Sequence, residues 1–70
     1  MNTLELKGRI VAKGFSIEAF CKATHIVRAT FDRKMAGKTE FTRDEIERII
    51  GALDLSAEET RAIFFTETVA

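Results

Sequence analysis

Apolar positions recur along most of the chain at three- and four-residue intervals, the spacing that gathers side chains on one face of an α-helix. Leu6 and Ile10 lie four apart with Val11 beside them. With Asn2 or Thr3 as N-cap, residues 3–13 are expected to form a helix that Gly14 ends in a left-handed conformation. Ile17, Phe20, Cys21 and Thr24 then share a face behind a capping Ser16, which predicts a second helix of about eight residues. Phe15 and Phe20 straddle that cap at the spacing of a hydrophobic staple, so Phe15 is expected to be structural. After a turn near 24–26, Phe31 and Met35 again lie four apart while Arg28, Asp32 and Arg33 fall on the other side, and Gly37 supplies the stop of a third helix.

Two capping boxes organise the C-terminal part of the chain. Thr42-Arg43-Asp44-Glu45 precedes Ile46, Ile49, Ile50 and Leu53, which predicts the most clearly amphipathic helix of the chain. Ser56-Ala57-Glu58-Glu59 opens a fifth helix with Ile63 as its inward residue. Residues 63–69 mix helix and strand character, so the tail 64–70 is left unassigned. The expected fold is all-α, a compact five-helix bundle.

Length and composition narrow the function classes. Seventy residues predict a single domain, and 46% apolar with 31% charged residues is the balance of a chain that folds. Apolar stretches such as Ile49-Ile50 and Ile63-Phe64-Phe65 stay far short of the roughly 20 residues of a membrane span, so a soluble protein without membrane contact is expected. Met1 to Lys7 lack a basic segment followed by an apolar one, so no secretory signal is expected and the cytoplasm is the expected location. One cysteine, Cys21, allows no internal disulfide, and its place on an inward face predicts a packing role. His25 has no Cys, Ser or second His at motif spacing, and the carboxylates fall in capping boxes and on solvated faces. No metal, no cofactor and no enzymatic activity are expected.

Net charge is zero, with 11 basic and 11 acidic side chains, but the two signs are unevenly spread. Between residues 20 and 43, Lys22, Arg28, Arg33, Lys34, Lys38 and Arg43 outnumber Asp32 and Glu40 to give +4, while residues 44–70 carry −5. The basic stretch coincides with the second and third helices. A helix of about eight residues, a short turn and a second helix with a basic outer face is the helix-turn-helix arrangement, whose second helix enters the major groove of DNA.

The run Phe15-Ser16-Ile17-Glu18-Ala19-Phe20-Cys21-Lys22-Ala23-Thr24-His25-Ile26-Val27-Arg28-Ala29-Thr30-Phe31-Asp32-Arg33-Lys34-Met35-Ala36-Gly37 resembles the Cro and repressor family of temperate bacteriophages. The hydroxyl cap at Ser16, the large and small residues Phe20 and Cys21, the apolar Ile26, Phe31 and Met35, and the terminal Gly37 carry the likeness. It places a helix-turn-helix at about 16–36 and extends to Gly14, Phe41-Thr42 and Leu53-Asp54-Leu55-Ser56. The chain departs from the family's pattern in two places. Ile17 stands where a Gln commonly touches the DNA backbone, and Thr24-His25 stands where an apolar residue and Gly commonly make the turn.

The resemblance implies a transcriptional regulator in a bacterial host cell, bound as a homodimer to a double-stranded DNA operator through a recognition helix at about 27–35. It places base reading on Arg28, Ala29 and Arg33, with Val27, Thr30, Asp32 and Lys34 at the margins. Lys34, Lys38 and Arg43 would neutralise phosphates. Arginine suits the role, because its paired N–H groups match guanine O6 and N7, and Ala29 or Val27 could pack on a thymine methyl.

Plainer readings stand beside these. Arg28 and Asp32 are spaced as an exposed i, i+4 salt bridge, and a carboxylate on a DNA-facing helix is tolerable only if it orients Arg28 or accepts from cytosine N4. Ile17, Phe64, Phe65 and Val69 are hard to place in so small a core and are candidates for a protein interface. That surface would serve a homodimer. Alternatively, it would let a regulator of the same fold act mainly by binding another phage repressor, as a modulator or antirepressor.

Overall fold

The computed structural model describes residues 1–65, which form five helices and, among the described residues, no strand. They are α1 (Thr3–Ala12), α2 (Ile17–Thr24), α3 (Arg28–Met35), α4 (Arg43–Leu53) and α5 (Ala57–Phe64). Val69 lies outside the described residues.

Short polar side chains start four of these helices. Asn2 and Ser16 accept from the backbone N–H groups of Glu5 and Ala19 at 3.0 and 3.1 Å. Thr42 and Ser56 each complete a capping box, with Glu45 and Glu59 reaching back to the cap's own N–H at 2.8 Å. Only α3 begins without such a partner, because its cap residue is Val27.

Left-handed residues end the first four helices. Gly14 and Gly37 have φ of 86° and 83°, and His25 and Asp54 take φ of 59° and 53° without the freedom of glycine. After α2, the His25 N–H bonds to the Lys22 carbonyl and the Ile26 N–H to the Cys21 carbonyl at 3.0 Å. This paired arrangement satisfies the last carbonyls of the helix and reverses the chain within three residues. The turn expected at His25 therefore forms.

The helices close over Leu6, Ile10, Phe20, Cys21, Ile26, Phe31, Phe41, Ile49, Leu53 and Ile63, all buried. A row of rings runs through this core, with Phe15 to Phe20 at 5.6 Å, Phe20 to Phe31 and Phe31 to Phe41 at 6.0 Å, and Phe41 to Phe64 at 6.3 Å. Such pairs contribute about 0.5–1.5 kcal/mol each beyond the area they bury. Thr24 is fully buried on the inward face of α2, and its hydroxyl donates to the Phe20 carbonyl at 2.8 Å, so the polar group is satisfied. Val11, beside Ile10, is 68% exposed, since neighbours on a helix point about 100° apart and Ile10 takes the core direction.

α2 packs on α4, α1 on α5, and α2 on α3. The chain's start is tied to α5 by the Asn2 N–H, which donates to the Ile63 carbonyl at 2.7 Å, and by Arg9, which bridges to Glu59 at 2.8 Å. Among the described residues these contacts leave one long side of α3 exposed.

Candidate nucleic-acid interface

Phe31 fixes the rotation of α3 by facing the core, with Thr30, Lys34 and Met35 half-buried beside it. Arg28, Ala29, Asp32, Arg33 and Ala36 consequently share the exposed side. Ile26, buried within the turn, pins the start of this helix, and Val27 just beyond it is 70% exposed. Val27, Arg28, Ala29, Asp32 and Arg33 thus stand together on one outward surface. Thr30 joins only at its edge. With no side-chain cap at Val27, the first N–H groups of α3 keep the partial positive charge of a helix N-terminus.

Arg28 and Asp32 form the ion pair their spacing predicts: Arg28 Nε donates to Asp32 Oδ1 at 3.2 Å, with both side chains more than half exposed. Arg33 and Lys38 have no ion-pair partner among the described residues, and Lys38 lies exposed just past Gly37. Arg43, at the first turn of α4, is 94% exposed and only loosely held to Glu47 at 3.6 Å. Lys22 adds an exposed cation in the last turn of α2.

Lys34 is placed differently from the expectation that it contacts phosphate. Three residues beyond Phe31, it turns toward α4, where its ammonium pairs with Glu45 and lies 5.8 Å from the centre of the Phe41 ring. Only 10% of its side chain is exposed. Its charge is spent inside the molecule. Glu45 is the residue that sequence reasoning missed: its role as α4's capping carboxylate was legible, but a partner eleven positions earlier leaves no periodic signal. Burial pushes the Glu45 carboxyl upward, yet the hydrogen bonds from Lys34 and the Thr42 N–H outweigh it and hold the group below its ordinary value.

The apolar candidates separate as well. Ile17 and Phe64 are half-buried against the core, Phe64 edge-on to Phe41, so each offers only a rim. Phe65 caps α5 and is 63% exposed. It borders a groove of about 510 Å³ whose walls include Met1, Phe41, Ile46 and Phe64. Cys21 is buried, and the loss of solvation pushes its thiol above the ordinary value, the opposite of an activated nucleophile.

Among the described residues, no group of three or more His, Cys, Asp or Glu side chains is placed to hold a metal ion, and no helix is long and apolar enough to cross a membrane. No protein-family model, curated protein or solved structure matches the chain significantly. The outward side of α3 therefore speaks through its chemistry alone. It offers the guanidinium groups of Arg28 and Arg33, the carboxylate of Asp32 and the small apolar side chains of Val27 and Ala29.

Proposed function

We propose that the protein is a sequence-specific regulator of phage type that binds double-stranded DNA, with α2 and α3 as a helix-turn-helix and α3 in the major groove. One observation carries the reading: Arg28 and Arg33 flank Ala29 on a side of α3 that is exposed among the described residues. Arginine forks read guanine edges, and the small Ala29 lets the helix approach closely. Lys38 and Arg43 lie exposed beyond the helix and neutralise phosphates, which sets register without reading sequence. Operators of this kind are read by paired subunits on half-sites about one helical turn apart, so the protein binds as a homodimer.

A second reading, a modulator of the same fold that binds a repressor protein, draws on Phe65 and its groove. Amide chemical-shift mapping with a nonspecific duplex at low salt tests the two. DNA binding moves amides 27–38 and is reversed by salt, with a slope of log K against log salt of about −1.8 per subunit from two phosphate contacts. Still amides across 27–38 at low salt would refute the DNA reading and leave the protein-binding one.

A further inference from the structure

Asp32 is the feature of the α3 surface that the proposed function does not absorb. A free carboxylate on a helix that enters a groove repels phosphate, yet Asp32 is exposed in the middle of the outward side. The one side-chain hydrogen bond of Asp32 among the described residues is the contact from Arg28 Nε at 3.2 Å. A guanidinium carries five N–H donors in a rigid planar fork. When Nε is engaged from the side, the far end of the fork still presents two parallel N–H groups, one from each Nη. Those are the donors that match guanine O6 and N7.

We infer that Asp32 is a positioning residue for Arg28, holding its guanidinium so that the two Nη groups meet one guanine in the operator half-site. This inference rests on the DNA-binding reading above and adds to it a named base and a role for the carboxylate. The placement favours it in three ways. Arg28 is the first residue of α3, at the end of a recognition helix that reaches base edges first. Val27 and Ala29, exposed on either side of it, are too small to hold a long side chain in place. The pair also cancels the carboxylate's charge, which removes the repulsion that would otherwise exclude Asp32 from the groove.

The test is selection from a duplex library with a randomised window of about 20 base pairs, long enough for two half-sites a helical turn apart, followed by affinities for the selected and random duplexes. The protein and its Arg28→Ala, Asp32→Ala and doubly substituted variants are compared. Arg28→Ala is expected to lose preference for one G·C pair by on the order of tenfold or more. Asp32→Ala is expected to lose preference at that same pair while binding random DNA more tightly, because a negative charge has gone. In the double variant the loss should be no larger than in Arg28→Ala alone, as required when one residue acts through the other. Losses at two different base pairs that add would show Asp32 reading cytosine itself and overturn the inference. Equal weakening on all duplexes, or an unchanged base preference in Asp32→Ala, would overturn it while leaving DNA binding intact. No binding to any duplex would overturn both. The pair is exposed, so the variants fold, and melting followed by circular dichroism confirms it.

Discussion

His25 accepts a left-handed backbone, φ 59° and ψ 35°, and carries no helix-capping hydrogen bond from its side chain. Its contribution to the fold is therefore a matter of main-chain conformation. Histidine tolerates that region better than most residues, whereas a β-branched side chain crowds the following carbonyl. His25→Val is expected to destabilise the protein by about 1–2 kcal/mol although it removes no buried contact. His25→Gly should stay within about 0.5 kcal/mol of the parent, since relief of strain is offset by the greater freedom of glycine in the unfolded chain. Urea denaturation at neutral pH measures both. Equal losses for valine and glycine would mean that the imidazole itself makes a stabilising contact and that the turn is not the cause.

Between elements, the contact with the most leverage joins α3 to α4. Glu45 accepts from Lys34 and from the Thr42 N–H, so a single carboxylate caps one helix and anchors the helix before it. Glu59 does similar work at α5, where the Ser56 N–H holds its carboxyl below the ordinary value and Arg9 reinforces it. Both groups have folded values below their unfolded ones, so the stability they confer is complete above about pH 4.3, the ordinary Glu value, and is lost as pH falls through the lowered folded values. Melting temperature should thus fall on acidification below that range. Glu45→Gln keeps an acceptor for Thr42 but strands the Lys34 charge, 10% exposed, and is expected to cost about 1–2 kcal/mol at pH 7. Its melting temperature should also depend less on acid than the parent's; an unchanged acid dependence would move the effect to other carboxylates. The five helices were legible in the chain because apolar spacing ran between side-chain caps at four starts and glycine stops after α1 and α3, while α3, with Val27 at its start, was legible from its spacing and its stop; Arg28, Ala29 and Arg33 were legible as one side of α3 by the same spacing. Lys34 was not. Its partner is brought in by tertiary packing, and a lysine between two core positions reads as solvent-facing until that partner is known.

Across the whole molecule the question is how much apolar surface a domain of this size leaves outside its core. Phe41 and Phe64 extend the row of rings to the edge of α5, where Phe65 stands in solvent beside the groove bordered by Met1 and Ile46. Single exposed apolar residues are ordinary, but an aromatic next to a groove with aromatic walls is a contiguous surface of the kind that marks protein contacts. Within the chain, Phe65 itself gains little, because at 63% exposure most of its area already meets water. Phe65→Ser is accordingly expected to alter the stability of the isolated subunit by less than about 0.5 kcal/mol, as surface substitutions do. If the protein pairs as proposed, self-association, followed by analytical ultracentrifugation over a range of concentrations, should weaken in the same variant, and so should cooperative occupancy of paired half-sites. Phe64→Ser provides the contrast: its ring packs edge-on to Phe41, so its loss should lower the melting temperature whatever happens to association. Should Phe65→Ser instead unfold the subunit and leave association untouched, the ring would belong to the core, and the contact between subunits would lie elsewhere, with the half-exposed rim of Ile17 the next place to test.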